Sequence, residues 1–136
     1  MRVALGTDEH TALVDHLHRR LTQLGHDVVV VADGESWPDV GRSVGEAVAS
    51  GRADRGVVCC WTGTGVSIAA NKVPGVRAAL CTDAETARGA RRWNDANVVA
   101  LGLRLTSPEV ASEMLTAFFS TEVDEGEADT LRRLPS

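Results

Sequence analysis

The 136-residue chain contains no tyrosine, and aromatic residues make up only 4% of it. Positive charge is also scarce, since 14 Lys and Arg against 19 Asp and Glu give a formal net charge of −5. Nucleic acids and anionic membranes attract clustered basic side chains, so neither is expected as a partner. No apolar run approaches the roughly 20 residues of a membrane span. A signal peptide is not expected either, because polar residues follow the first apolar stretch at once.

Cysteine is equally rare, and the three present form neither a CxxC pair nor a zinc-ligand spacing. An odd number of cysteines suits a reducing compartment. We therefore expect a cytoplasmic protein without a metal site. Its length is that of one ordinary domain with a buried core.

Apolar patterns alternate along the chain between strands and helices, which predicts a parallel α/β sheet covered by helices on both faces. The sequence therefore predicts one α/β domain over 1–136, ending in an acidic tail from about 122 that is helical or partly disordered. The predicted strands are 2–7, 28–31, 56–60, 76–81 and 97–103. The predicted helices cover about 13–24, 36–51, 67–72, 84–94 and 107–119, with Ser36 as the N-cap of the second.

The stretch VVCCWTGTGVSIAANK, residues 57–72, places a glycine-rich turn between a strand and a helix. A dinucleotide fingerprint is excluded because Ile68 stands where its third glycine belongs, and a P-loop is excluded because Gly-Lys-Ser/Thr is missing. What remains is a turn of free N–H groups at a helix N-terminus, which binds a negative oxygen.

The paired cysteines before this turn point to opposite faces of their strand, so Cys60 can face the cleft while Cys59 is packed. A helix N-terminus favours a thiolate, although both thiols could instead be small buried hydrophobes. A thiolate beside such a turn suits nucleophilic attack, for which only His10 lies at a strand's carboxyl end. It also suits proton abstraction next to a carbonyl, with the turn holding an enediolate oxygen.

The pattern CxTGxGxSIAANKxxGxRAALCTD over 60–83, followed by NDANVVALGLR over 94–104, resembles the ribose-5-phosphate isomerase B and galactose-6-phosphate isomerase family. RVALGTD, WPDVGRSVGEAV and FFSTE also fit, so the resemblance covers about nine-tenths of the chain. It implies a Rossmann-like three-layer sandwich with a five-stranded parallel sheet, and no metal or organic cofactor. It also implies a homodimer, or a tetramer formed from two such dimers, with active sites at the subunit interface. Family members interconvert aldose and ketose phosphates through a cis-enediolate.

The resemblance assigns roles to individual residues. Cys60 matches the base that moves a proton between C1 and C2, and Thr62 matches a hydroxyl that assists ring opening. The N–H groups around Gly63 and Gly65 match the enediolate cradle. The other residues that we expect to contact substrate are Asp8, His10, Trp61, Thr64, Ser67, Trp93, Asn94, Arg104, Arg132 and Arg133.

The chain also departs from the family pattern. Trp61 stands where the family has glycine, and Trp93 stands where it has the ring-opening histidine. An acidic run over 124–129 replaces spaced arginines that clamp the phosphate. Either Arg132 or Arg133 reaches the phosphate together with Arg104 and one of Arg88, Arg91 and Arg92, or the substrate is shorter, open-chain or unphosphorylated. The two tryptophans either stack on the sugar or pack at the dimer interface.

The sequence therefore predicts an aldose–ketose isomerase of a small sugar phosphate, of the ribose 5-phosphate/ribulose 5-phosphate type or shorter, with Cys60 as the base. Two alternatives remain open. One is an isomerase of an unphosphorylated sugar, and the other is a sugar-binding or non-catalytic subunit of the same fold.

Overall fold

Five parallel strands form a single sheet in the order β2-β1-β3-β5-β4. The computed structural model describes all residues from Met1 to Ser136. The strands are β1 (Arg2–Thr7), β2 (Asp27–Asp33), β3 (Arg55–Cys60), β4 (Ala78–Leu80) and β5 (Val98–Gly102). The helices are α1 (Ala12–Gln23), α2 (Trp37–Ala49), α3 (Thr64–Asn71), α4 (Ala84–Asn94), α5 (Pro108–Ser120) and the short α6 (Ala128–Leu131).

Helices cover both faces of the sheet, and each face has its own apolar core. On one face α1, α4 and α5 pack against Val57 and Cys59 of β3. On the other, α2 and α3 pack against Val58 and Cys60 of the same strand. Each fully buried Leu or Val of these cores contributes about 1.5–3 kcal/mol. The alternation along β3 thus produces the predicted Rossmann-like three-layer α/β sandwich, which is confirmed.

The strand order reverses between β1 and β3. From β1 the chain adds β2 on one side, and it then crosses to β3 on the other side of β1, where β5 and β4 follow. Thr7 at the end of β1 pairs with Cys59 of β3. In open parallel sheets this reversal opens a crevice at the carboxyl ends of the strands, where ligands bind. The residues that follow β1 and β3 therefore flank the crevice.

Two elements differ from the predicted boundaries. The α3 helix begins at Thr64 instead of residue 67, because Gly63 takes a left-handed conformation (φ +79°) and forms the N-cap. The β4 strand is limited to Ala78–Leu80. Its predicted first residues, Val76 and Arg77, lie outside the strand, and the Arg77 N–H donates to Asn97 Oδ1 at 2.8 Å.

Helix starts follow the predicted positions. Ser107 accepts from the Val110 N–H at the start of α5, and Asp83 accepts from the Thr86 N–H at the start of α4. Ser36 is the N-cap of α2, but its hydroxyl donates to Asp39 Oδ2 at 3.0 Å instead of capping an N–H. The side-chain cap predicted at Ser36 is therefore absent.

The β4 strand lies at one edge of the sheet and is covered by a side chain of α3. Asn71 Nδ2 donates to the Ala78 carbonyl at 2.9 Å, and Asn71 Oδ1 accepts from the Ala78 N–H at 2.7 Å. The amide thereby occupies the outward backbone groups of Ala78, the first residue of this edge strand. Leu80 follows, and it is 38% exposed.

The acidic tail is ordered in a 3₁₀ turn (Glu125–Glu127) followed by α6. The Asp124 N–H donates to the Arg92 carbonyl at 2.8 Å, which fixes the start of the tail next to α4. None of the helices combines the length and apolar character needed to cross a membrane.

Candidate active site

The crevice is flanked on one side by the turn after β1. The Thr7 hydroxyl donates to the Glu9 carbonyl at 2.7 Å and accepts from the Glu9 N–H at 3.3 Å, closing a tight turn around Asp8. The Asp8 N–H donates to the Cys59 carbonyl at 3.2 Å, which ties this turn to β3. Burial, followed by the nearby Glu9 charge, raises the pKa of the Asp8 carboxyl. Asp8 therefore holds a proton more readily than an exposed aspartate.

Cys60 ends β3 on the other side of the crevice. Its neighbour Cys59 is fully buried in the first core, whereas Cys60 lies on the opposite face and is 5% exposed. Burial strongly raises the pKa of the Cys59 thiol. The prediction that the two cysteines point to opposite faces is confirmed, and Cys60 is the one next to the glycine turn.

The glycine turn brings the N-terminus of α3 to the end of β3. A Cβ on Gly63 would lie 2.7 Å from the Leu101 carbonyl carbon and from Leu80 Cδ1, so glycine alone fits this conformation. The Ser67 N–H donates to the Gly63 carbonyl at 3.3 Å. The N–H groups of the preceding residues have no partner inside the helix, and they form a cradle for a negative oxygen. These residues are Thr64, Gly65 and Val66.

Hydroxyl groups and an indole surround the cradle. Thr62 Oγ1 and Thr64 Oγ1 lie 2.7 Å apart in a hydrogen bond, and both residues are exposed. Ser67 lies behind them and is 8% exposed, and Trp61 is 56% exposed. The Trp61 carbonyl accepts from the Arg104 N–H at 3.0 Å, which places Arg104 at the same end of the sheet.

A further aromatic side chain at this end was not predicted as a site residue. Trp37, the first residue of α2, lies on Gly65, where a Cβ would be 2.8 Å from the indole ring. Sequence signals for it existed, since Trp37 follows β2 at its carboxyl end and belongs to the WPDVG stretch. Its contact with α3 could not be read from the chain.

His10 lies at the edge of the crevice between two carboxylates. Nδ1 is 3.0 Å from Asp33 Oδ1, and Nε2 is 2.7 Å from Asp15 Oδ1. These hydrogen bonds, that of Asp33 first, raise the pKa of the His10 imidazole. Both ring nitrogens are thus engaged by the protein, and the imidazole joins the β1 and β2 ends.

Trp93 and Asn94 lie at the other end of the sheet. They end α4, beside the amino ends of β4 and β5. The Trp93 indole rests on Gly89, where a Cβ would be 2.7 Å from Cζ3, and it is 51% exposed. Asn94 lines a groove of about 480 Å³ that includes Ala78 and Leu134. Within one chain, neither residue joins Cys60.

The arginines do not converge on Cys60 within one chain either, so any phosphate contact by Arg132 or Arg133 is to the crevice of another copy. Arg132 lines a cavity of about 270 Å³ with Arg77 and Asp95, at the amino end of β4, and it pairs with Asp129. Arg133 follows it in the same tail. Only Arg104 lies at the carboxyl end.

Two of the α4 arginines are engaged in contacts of their own. Arg91 is 4% exposed and binds Asp95 Oδ1 at 2.8 Å and the Ala96 carbonyl at 2.7 Å. Arg88 pairs with Glu85 at 2.8 Å. Arg91 therefore stabilises the end of its own helix.

No group of His, Cys, Asp and Glu side chains is arranged to hold a metal ion.

The chain is similar to known proteins over nearly its whole length. Residues 3–134 match the model of the Ribose/Galactose Isomerase family. A D-erythrulose-4-phosphate isomerase of Pectobacterium atrosepticum is 35% identical, over 93% of this chain and 87% of that protein. Ribose-5-phosphate isomerase B of Escherichia coli is 33% identical, over 92% of this chain and 87% of that protein.

Solved structures agree with these matches. Ribose-5-phosphate isomerase B of Clostridium thermocellum superposes with a TM-score of 0.91 at 37% identity, covering 98% of this chain and 94% of that one. The type B enzyme of Trypanosoma brucei gives a TM-score of 0.90 at 38% identity, covering 97% of this chain and 95% of that one. The chain therefore belongs to the ribose/galactose isomerase family and is a sugar-phosphate isomerase.

Proposed function

We propose that the chain interconverts the aldose and ketose forms of a short, open-chain sugar phosphate, with Cys60 as the catalytic base. One observation carries this proposal: the Cys60 thiol ends β3 directly before the free N–H groups that open α3. A base and an oxyanion cradle at one point are what proton abstraction next to a carbonyl requires.

In the proposed reaction the Cys60 thiolate removes a proton from the carbon next to the carbonyl. The electron pair left behind forms the enediolate, whose oxygen is held by the α3 N–H groups. The thiol then returns the proton to the neighbouring carbon. Thr62 and Thr64, hydrogen bonded to each other, transfer the hydroxyl proton between the two substrate oxygens.

The proposed length of the substrate follows from Trp93, which stands where the family has the histidine that opens the sugar ring. Trp93 carries no titratable proton, so a cyclic sugar would lack help in opening. A four-carbon sugar phosphorylated at O4 cannot close a five-membered ring through that oxygen, and it therefore needs no such acid. Trp61, which is 56% exposed, directly follows Cys60 and adds an apolar surface beside it. Two relatives support this length, because isomerases of D-erythrulose 4-phosphate from Pectobacterium atrosepticum and Mycolicibacterium smegmatis are 35% and 36% identical to the chain.

Residues of a second copy of the chain are needed to bind the phosphate group of the substrate. The loops that follow the strands at the carboxyl end of the sheet carry Asp8, Glu9, Glu35 and Asp83 but only Arg104 as an arginine. Trp93, Asn94, Arg132 and Arg133 lie at the amino end, away from Cys60. We therefore propose a homodimer in which the amino-end residues of one copy, including its tail, complete the crevice of the other. A cytoplasmic location, expected from the odd number of cysteines, stays a prediction.

The test is an assay of the pure protein and of Cys60→Ala with four-, five- and six-carbon aldose and ketose phosphates and their unphosphorylated counterparts. We expect the highest kcat/KM with the four-carbon phosphate, and a loss of at least about 100-fold in kcat for Cys60→Ala. Undiminished turnover by Cys60→Ala would exclude Cys60 as the base. A preference for ribose 5-phosphate would exclude the four-carbon assignment.

One alternative has a distinct outcome in the same experiment. A non-catalytic subunit would be stabilised by a sugar phosphate in a thermal-shift assay without isomerising it. Exchange of the substrate's C2 proton with deuterated solvent would exclude that alternative, because exchange requires the base to act.

A further inference from the structure

The α2 and α3 helices pack along a seam of positions four residues apart. Trp37 lies on Gly65, and a Cβ on Gly41 would be 2.5 Å from Ala69 Cβ. The third contact is between Gly45 and Val73, since a Cβ on Gly45 would lie 2.9 Å from Val73 Cγ2. Residues four apart lie on one helix face, so the two segments run parallel and in register.

The residue sizes along this α2–α3 seam are complementary. At the start of α3 the large Trp37 contacts Gly65. In the middle two small residues, Gly41 and Ala69, are in contact, and at the far end Gly45 contacts the larger Val73. At the middle contact a Cβ on Gly41 would also lie 2.8 Å from the Ala70 N and the Val66 O. Backbone therefore rests on backbone there, and the two end contacts decide how α3 is oriented.

The first turn of α3 is held against the sheet by Gly63, which packs on Leu101 and Leu80, and by the buried Val66, and on its α2 side it rests on Trp37. Its N-cap is Gly63, which has no side chain to cap the helix, and no side-chain cap hydrogen bond is formed. Gly65 likewise has no side chain. The indole of Trp37 is the surface against which this turn rests on its α2 side.

Trp37 is not needed to start its own helix. Ser36 and Pro38 already occupy the N-cap and first-turn positions, where these residue types favour a helix start. The Trp37 side chain is also 44% exposed, so it adds less to the core than a buried side chain would. What it specifically contacts is the turn that carries the cradle.

We infer that Trp37 is a positioning residue: its indole, resting on Gly65, sets the direction of the N–H groups that hold the enediolate oxygen. The inference rests on the proposed function for its catalytic consequence. A cradle donor that moves by about 1 Å can cost on the order of 100-fold in rate. A change at Trp37 should therefore lower kcat, because the α3 N–H groups stabilise charge that develops only after the substrate has bound.

The experiment compares Trp37→Ala, Trp37→Phe, Gly65→Ala and the double variant Trp37→Ala/Gly65→Ala. We expect Trp37→Ala to lower kcat about 10- to 100-fold with KM changed less than about threefold, and Trp37→Phe to restore most of the rate. Gly65→Ala should also be impaired, since its Cβ meets the indole. The double variant should be more active than Gly65→Ala, because removing the indole makes room for the methyl group. Glu46→Ala, an exposed change on α2 beside the seam, should be unchanged.

A second measurement does not depend on turnover. Hydrogen exchange of the Ser67 amide, which donates to the Gly63 carbonyl, should be faster in Trp37→Ala and return to the wild-type rate in Trp37→Phe. Equal kcat in wild type and Trp37→Ala, or unchanged Ser67 exchange, would overturn the inference. If wild type isomerises none of the sugars, the proposed function fails, while the exchange measurement still decides whether Trp37 holds the turn.

Discussion

Among single residues, the three cysteines differ most in their surroundings. Cys59 and Cys60 are neighbours in sequence but belong to different cores. Cys81 is 1% exposed, and burial, followed by the Asp83 charge, raises the pKa of its thiol to about 11. Cys60 is the cysteine that lies beside the crevice, before the N-terminus of α3, whereas Cys81 precedes the N-terminus of α4.

We therefore expect iodoacetamide at pH 8 to alkylate the folded protein at Cys60 alone, since the reactive species is the thiolate and burial keeps Cys59 and Cys81 protonated. Mass spectrometry of the digested protein gives the modified position. Cys60→Ser is the control and should take up no label unless unfolded. Modification of Cys81 in the native protein would contradict the expectation.

The His10 imidazole leads to a pH-dependent expectation. Hydrogen bonds to Asp33 and then Asp15 raise its pKa above the ordinary value of about 6.5. A raised folded-state pKa means that the protonated imidazole stabilises the fold below that ordinary value, and that this contribution is lost as the pH rises through the folded-state pKa.

An NMR titration of the His10 ring measures this directly. We expect a midpoint above 6.5 in wild type, and a lower midpoint in Asp33→Asn because a carboxylate partner is removed. Asp27→Asn, at the amino end of β2, is the matched control and should not move it. A wild-type midpoint at or below the ordinary value would rule out the paired geometry.

Whether the place of a single residue could be predicted depended on how far apart in sequence it and its contacts lie. Cys60 and Gly63 were predicted because strand alternation and a glycine turn are local patterns. Trp37 was missed because its contact with Gly65 joins two separate helices. Arg91 was considered for phosphate, and no local pattern shows that it is buried beneath the end of its own helix.

At the level of elements, the link between α4 and β5 depends on Asp95. It adopts a left-handed conformation (φ +48°) and ends α4. Its carboxylate binds Arg91 at 2.8 Å and Arg77 at 3.2 Å, and the Arg91 side chain is only 5% exposed. This link places Asn94 and Trp93 at the amino ends of β4 and β5.

Asp95→Ala should lower the free energy of unfolding by about 2 kcal/mol, because it leaves a buried guanidinium without its carboxylate. Asp95→Asn should cost less, since asparagine tolerates the same backbone conformation and keeps hydrogen-bonding capacity. Urea unfolding followed by circular dichroism measures both. Equal stability of wild type and Asp95→Ala would show that the carbonyls bound by Arg91 satisfy it without Asp95.

The elements themselves were largely predictable, because buried strands and amphipathic helices repeat with different periods. Errors fell at boundaries set by tertiary contacts. Gly63 starts α3 early because its left-handed conformation fits against Leu101 and Leu80. The β4 strand begins only at Ala78 because the N–H of Arg77 is bound by the Asn97 side chain.

At the level of the whole molecule, the candidate site residues form two groups at opposite ends of one sheet. Cys60, Thr62 and the cradle lie at the carboxyl end, whereas Asn94 and Trp93 lie at the amino end. Alternation predicted a parallel α/β sheet covered by helices, and the family resemblance implied the Rossmann-like five-stranded sandwich. The separation of the two groups follows from the same topology, because each helix between parallel strands runs from the carboxyl to the amino end of the sheet and α4 ends at Asn94.

Mixing inactive variants tests whether two copies share a site. In a mixed dimer of Cys60→Ala and Asn94→Ala, one crevice carries both changes and the other carries neither. Random pairing should therefore restore about a quarter of wild-type activity, since half of the dimers are mixed and each has one intact site. Subunits are mixed in denaturant, refolded and assayed.

The matched control mixes Cys60→Ala with Thr62→Ala. Both changes lie at the carboxyl end, so every crevice in the mixed dimer keeps one defect and no activity should return. Recovery in this control, or none with Asn94→Ala, would contradict a shared site.

The Asn71 amide at the edge of the sheet has a consequence for the behaviour of the protein at high concentration. Exposed edge strands are templates on which other chains add strands and grow into fibrils. Here the outward N–H and C=O groups of Ala78 are already bound by Asn71, so an incoming strand would have to displace that amide before it could pair. Addition of a strand at Ala78 therefore costs two existing hydrogen bonds, which disfavours growth of the sheet at this edge.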